Sequence, residues 1–272
     1  MLADSITPGT MKSEDEHRRE ICTAGRWIHG RAFVASTDGN ISVRLDSRRV
    51  LTSPTGISKG LMSPDDLVIT DLKGRKLAGR REASSELAMH LLIYARRPDV
   101  HAVCHHHAHT ILPFAISGAE IVPVFHLAAV IGKVPFWDQR DEFGDTNMLV
   151  IKPEEGASLA RALGPNWMVL MRRHGATVAG TSLRNLTFRS VFSSDNCKLL
   201  SQAMAHGHVD SLSPGEVTLT AAYQERPPST NRAWDYWVRQ VEKAGLMPTA
   251  QAVAARRTKP KAAKKSKTKK RR

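Results

Sequence analysis

Apolar residues recur at helical spacing in some stretches of the chain and alternate with polar ones in others, and the switches mark out its elements. Near the N-terminus Ile21, Ala24, Trp27 and Ile28 form one stripe, and Ser13 with Glu16 supplies a capping box ahead of it, which predicts a helix. Past Gly39-Asn40 the period becomes two. Ile41, Val43 and Leu45 face one way and Ser42 and Arg44 the other, as in a strand. A second strand over 49–53 runs into the turn Pro54-Thr55-Gly56, and 67–70, Lys73-Gly74 and 76–78 predict strand, turn and strand. Ser84-Ser85 is placed to cap a helix over 86–97, with Leu87, Leu91 and Tyr94 on one stripe and Pro98 stopping it.

The next stretch, Val-Cys-His-His-His-Ala-His at 103–109, has the apolar setting of a buried strand. A helix-forming segment with Pro113 follows over 109–116, then short apolar runs over 122–127 and 130–134, and a polar loop over 137–148. A helix over 157–163, a buried strand over 166–172 ending at Arg173-His174-Gly175, and a long helix over 183–204 come next. A last helix carries Trp234, Trp237, Val238 and Val241 on a face that should pack back onto the core. Helices and strands alternate irregularly, which predicts an α/β fold with a mixed sheet.

Composition changes this picture at one end. The net charge of +14 is uneven, because residues 256–272 hold eleven Lys and Arg and no acid, which leaves 29 basic against 26 acidic side chains before them. The expected organisation is a flexible N-terminus over 1–12, one domain over 13–247, and a disordered basic tail over 248–272. Such a tail allows nonspecific electrostatic contact with nucleic acid but predicts no specific site for it. Three widely spaced cysteines argue against a disulfide framework. Neither a signal peptide nor a run of eighteen apolar residues is present, so the chain reads as cytoplasmic, with no membrane partner.

The chemistry gathers on the histidine strand. In an extended chain His105 and His107 share one face and His106 takes the other. Two imidazoles at that spacing can close on one divalent ion, and a third ligand must come from elsewhere. His174, between a buried strand and Gly175, is the candidate. Glu86, opening the helix before the histidine strand, is placed to reach the same site, although a first-turn Glu also simply complements a helix dipole. The polar turns at Gly39-Asn40, Thr55-Gly56 and Ser84-Ser85 offer amides and hydroxyls that suit an anion.

Asp-Gly-Asn-Ile-Ser at 38–42, Thr52-Ser53-Pro54-Thr55-Gly56-Ile57, Ser84-Ser85-Glu86, His105-His106-His107 and Arg173-His174-Gly175 together resemble the class II aldolase/adducin family, in order and in separation, over roughly residues 15–225. The resemblance implies a three-layer α/β/α fold with a central mixed β-sheet. It implies a homotetramer with active sites between subunits, and a divalent metal, Zn or Mn, on His105, His107 and His174. It makes Glu86 the acid/base residue and gives Asn40, Thr55, Gly56, Ser84 and Ser85 to a phosphate or carboxylate of a small-molecule substrate. His106 and His109 match no ligand position.

Departures from the sugar-phosphate aldolases of that family point to a branch. Those enzymes commonly place a tyrosine after an apolar-His pair equivalent to Phe125-His126, whereas here Leu127 follows. With the 136–147 loop and the Arg-Arg-His-Gly segment, the chain looks more like the decarboxylases of hydroxylated aromatic acids, such as 3-hydroxy-2-methylpyridine-4,5-dicarboxylate decarboxylase. The expectation is a metal-dependent carbon–carbon lyase, a decarboxylase with Glu86 as proton donor. The alternative is a sugar-phosphate aldolase or epimerase like fuculose-phosphate aldolase. A non-catalytic adducin-like interaction protein would have no need of His105, His107, His174 and Glu86.

Overall fold

The capping box at Ser13 opens helix α1 (Glu14–Gly30): the Ser13 hydroxyl accepts from the backbone N–H of Glu16, and the Glu16 carboxylate accepts from that of Ser13. Ile21, Ala24 and Ile28 are buried, as their spacing predicts. This computed structural model describes residues 12–248, so the expected flexible terminus and basic tail lie, but for their inner edges, outside the described residues. Strands β1 (Asn40–Arg44), β2 (Arg49–Thr52), β3 (Val68–Asp71) and β4 (Lys76–Ala78) form an antiparallel meander. Helix α2 (Leu87–Arg96) then leads to β5 (Ala102–His106), which pairs antiparallel with β1.

Beyond β5 come α3 (Leu112–Ser117), a 3-10 helix over His126–Ile131 where the sequence shows two apolar runs, and β6 (Phe136–Trp137). A single helical turn, α4 (Arg140–Phe143), sits in the expected loop and precedes α5 (Pro153–Leu163), β7 (Met168–Met171) and β8 (Gly175–Gly180). The chain closes with α6 (Leu183–His206), α7 (Pro214–Gln224) and α8 (Pro227–Lys243). The eight strands lie in the order β4-β3-β2-β1-β5-β8-β7-β6, antiparallel throughout except for the β6–β7 pair, which makes the sheet mixed.

Alternation along the strands divides the core in two. Ile41, Val43, Ala102, Cys104 and Val178 pack with buried residues of α1, α6 and α8. Val50, Val103, Val169 and Ala179 pack with those of α2 and α5. The three-layer arrangement follows, with Trp237 stacked on Trp27 at 5.9 Å to seal the first side. No residue of helix α7 is fully buried; Val217, Thr220, Ala221 and Gln224 are half-buried on one face. No helix of the described residues is long and apolar enough to cross a membrane.

One expected detail is corrected. Ser84-Ser85 does not cap α2 by a side chain; Glu86 occupies the cap position and makes no capping bond, with the Ser84 hydroxyl 3.4 Å from its backbone N–H. Its carboxylate is thereby left to turn toward the sheet.

A buried lysine fixes the loops at this end of the sheet. Lys59 is 1% exposed, and its ammonium donates to the carbonyls of Thr37 (3.1 Å) and Ile57 (3.0 Å). Burial lowers its pKa from 10.5 to about 8, with Asp38 and Cys104 acting against the shift. Between those values the unfolded chain holds a proton that the native state has released, so this group's contribution raises stability as pH rises. The buried cysteines oppose that trend, but Cys22 and Cys197 do so equally in a Lys59→Met variant, and Cys104, whose upward shift Lys59 reduces, opposes it no less there. Urea midpoints at pH 8 and 9.5 should therefore show wild type gaining on Lys59→Met by up to about 1.4 kcal/mol per pH unit. Parallel curves would contradict the burial of a titrating ammonium.

Candidate metal centre

His105 is the penultimate residue of β5, completely buried, and His107 follows the strand end. Alternation puts both on the α2/α5 side and turns His106 to the other, where its ring lies 5.0 Å from Phe33. His174 enters from the β7–β8 hairpin. Its ring centroid is 4.8 Å from that of His105 and 5.0 Å from that of His107, with 4.7 Å between the latter two. One ring nitrogen from each falls within 4.8 Å of the others. His109 is exposed and takes no part.

The hydrogen bonds fix which nitrogens face inward. His105 Nδ1 lies 3.1 Å from the carbonyl oxygen of Ala176, which only accepts, so Nδ1 carries the proton and Nε2 presents a lone pair. His107 Nδ1 lies 2.9 Å from Asp38 Oδ2, with the same consequence for its Nε2. Those two Nε2 atoms are 2.9 Å apart. Two lone pairs at that separation repel unless a cation or a proton lies between them. Burial, then the neighbouring His174 and His107, holds the His105 pKa well below its ordinary value, which disfavours the proton. Two nitrogens on one tetrahedral zinc stand roughly 3.3 Å apart at the usual bond lengths, so the pair fits a divalent ion.

Glu86 closes the fourth side. Its Oε2 is 3.7 Å from His105 Nε2 and its Oε1 3.8 Å from His174 Nε2. Oε1 also accepts from the backbone N–H of Val150 at 3.1 Å. Burial raises the Glu86 pKa, against that hydrogen bond and the charge of His107. Burial and His107 lower that of His174 to about 4, with the Met148 backbone acting the other way. The centre therefore pairs two imidazoles that resist protonation, His105 and His174, with a carboxyl group that resists ionisation, a combination suited to holding a metal and moving a proton.

Backbone pairing brings the residues expected to hold an anion to the same end. Asn40 stands opposite His105 in the β1–β5 register and so shares its face. It is buried, and its amide oxygen has no hydrogen-bond partner among the described residues. The N–H of Ile41 donates to the Ser53 hydroxyl, Pro54 bridges Ala83, and the N–H of Thr55 donates to the Glu82 carbonyl. Thr55, Gly56, Ser84 and Ser85 therefore lie on adjoining segments. Thr55, Gly56 and Ser85 are exposed and Ser84 is half-buried.

Sequence reasoning gave no role to several residues that shape this centre. Asp38 appears in the Asp-Gly-Asn motif, but only the fold brings it to His107. The expected loop walls a cavity of about 170 Å³ beside His174, with Trp137, Arg140, Met148, Arg172 and Arg173 in its lining. Arg140 and Arg172 share Asp138 there, at 3.2 and 3.0 Å. Arg173 bends the hairpin through a left-handed backbone (φ 53°). Gly175 lets the hairpin close, since a Cβ there would stand 2.5 Å from the His106 carbonyl oxygen and 2.8 Å from His107 Cδ2.

Gly175→Ala should therefore push β8 away from β5 and carry His174 off the other two histidines. About 1–3 kcal/mol of stability should be lost in urea unfolding, and chelator competition should show weaker metal binding. Full affinity in that variant would contradict the assigned role of the close approach.

Residues 19–200 match the model of the family described as the class II aldolase and adducin N-terminal domain. Methylthioribulose-1-phosphate dehydratase of Methylococcus capsulatus is 39% identical over 117 residues, which make up 42% of this chain and 57% of that protein. The match thus spans little more than half of that relative. Decarboxylase tropJ of Talaromyces stipitatus is 31% identical over 184 residues, covering 59% of this chain and 68% of that one. Among solved structures, L-fuculose 1-phosphate aldolase from Glaciozyma antarctica PI12 shares the fold, with a TM-score of 0.76 and 18% identity over 90% of this chain and 97% of its own.

Proposed function

The chain belongs to the family of class II aldolase and adducin N-terminal domains, and on that premise we propose that it is a metal-dependent carbon–carbon lyase that decarboxylates a hydroxylated aromatic mono- or dicarboxylate. The observation that carries the lyase reading is the convergence of two imidazole lone pairs 2.9 Å apart beside the carboxyl group of Glu86. His105, His107 and His174 would hold a divalent ion, zinc or manganese by the chemistry of the donors, which would supply Lewis acidity for the negative charge left when the bond breaks.

The remaining work falls to side chains. Asn40, Thr55, Gly56, Ser84 and Ser85 hold a carboxylate of the substrate and so fix the ring. Carbon dioxide departs and leaves the bonding pair on the ring carbon. Glu86 delivers a proton to that carbon from its carboxyl group and regains one from solvent. Its burial favours the protonated form that this step needs. Leu127 in place of a tyrosine favours decarboxylation over aldol cleavage, because aldol cleavage also needs a group to take the proton from the hydroxyl that becomes the carbonyl, a proton that departing carbon dioxide does not carry. Trp137, Arg172 and Arg173 line the cavity beside His174, a setting for a flat anionic ring. The likeness to decarboxylase tropJ points the same way. A homotetramer accords with the exposed Leu61, Ile116 and, on α7, Leu219.

Purified metal-loaded protein should release carbon dioxide from hydroxylated aromatic dicarboxylates. It should leave ketose 1-phosphates and methylthioribulose 1-phosphate unchanged. Glu86→Gln should lose about 10²–10⁴-fold in turnover while keeping its metal on three histidines. Turnover confined to the sugar phosphates would overturn the decarboxylase assignment, and an active Glu86→Gln would overturn the role of the carboxyl group.

A further inference from the structure

The inward-facing lone pair of His107 depends on a residue outside the ligand set. Its backbone N–H donates to the Phe33 carbonyl at 3.0 Å, so the end of β5 is tied to the loop that leads into β1. That loop turns at Gly39, whose backbone is left-handed (φ 66°) and where a Cβ would stand 2.9 Å from the His105 carbonyl oxygen. The turn delivers Asp38 beneath His107. The two carboxylate oxygens of Asp38 then divide their work. Oδ1 accepts from the backbone N–H groups of Ala35 (2.9 Å) and Ser36 (2.8 Å), and Oδ2 accepts from His107 Nδ1 at 2.9 Å.

We propose that Asp38 is a positioning residue of the metal centre: it holds His107 in the Nδ1–H tautomer and so keeps Nε2 free to ligate. The inference rests on the metal reading given above. A carboxylate behind a ligating imidazole orients the ring and raises its basicity, and loss of such a partner typically weakens metal binding 10–100-fold. The other two imidazoles stand differently. His105 has a backbone carbonyl behind it, at 3.1 Å, and His174 Nδ1 is buried with no side-chain partner among the described residues. Among the three candidate ligands, His107 is thus the one whose tautomer a single side-chain substitution can reverse.

Asp38→Asn separates this role from support of the loop. The amide oxygen can keep both backbone donors, which leaves the NH₂ group facing His107 Nδ1. That nitrogen must then become the acceptor, which moves the proton to Nε2 and blocks the ligand position. Zinc affinity should be measured by chelator competition on the full-length protein, with thermal unfolding of the metal-free form and the visible spectrum of the cobalt form alongside. Wild type should bind one ion. Asp38→Asn should bind it 10–100-fold more weakly with a shifted cobalt spectrum and an unchanged metal-free melting temperature, and Asp38→Glu should recover part of the affinity. Wild-type affinity and spectrum in Asp38→Asn would overturn the inference while leaving the metal reading intact. A metal-free melting temperature that falls in step with affinity would also overturn it, by assigning Asp38 to the loop alone. A wild type that binds no ion would remove both.

Discussion

Two imidazole nitrogens, each with its proton committed elsewhere, face each other across 2.9 Å at the end of a buried strand. That opposition is the constraint from which the rest of the centre follows. A neutral His pair can be packed cheaply when each ring finds a donor and an acceptor, but here both rings spend their N–H groups outward and turn lone pairs inward. Water between them would have to donate to both within a space too short to hold it. A divalent cation satisfies both and draws in a third nitrogen and a carboxylate, which are the groups found there.

The architecture supplies these groups from separate elements. Strand β5 brings His105 and the residue just past its end is His107, the β7–β8 hairpin brings His174, and the start of α2 brings Glu86. The strands adjoin in the sheet, so the hydrogen-bonded ladder fixes the backbone beneath the rings. Gly175 and Gly39 remove the Cβ atoms that would hold the hairpin and the β1 loop away. Lys59 binds carbonyls of two loops at the same end, so a buried charge, costly in itself, locks the segments that carry Asp38 and Thr55-Gly56. Order at this end of the sheet is therefore purchased with groups that are individually unfavourable, as functional sites commonly show.

Much of this was legible in the chain. Period-two alternation located β1 and β5, and the same alternation separated His105 and His107 from His106 before any coordinates. The apolar stripes of α1, α2 and α8 and the mixed sheet were likewise visible. What escaped has a physical reason. Strand β8 is a run of small residues, Gly-Ala-Thr-Val-Ala-Gly, buried on both faces and without the alternation that marks a half-exposed strand. Helix α7 buries no side chain fully and carries Thr220 and Gln224 among Val217 and Ala221 on its half-buried face, so no continuous apolar stripe marks it. The serine pair at 84–85 resembles a cap, yet the chain turns one residue later and frees Glu86. Asp38 could have been singled out as an acid next to a glycine turn ahead of Asn40, but its partner lies 69 residues on, and only the β1–β5 pairing joins them. Long-range pairings of this kind leave no periodic trace.

The central claim is that His105, His107 and His174 hold one divalent ion, and anomalous X-ray diffraction at the zinc edge from crystals grown with zinc tests it most directly. The account predicts a single strong peak at about 2.0–2.2 Å from the Nε2 atoms of His105 and His107 and from a ring nitrogen of His174. No peak among these rings at saturating zinc, with the two Nε2 atoms bridged by a proton, would contradict it.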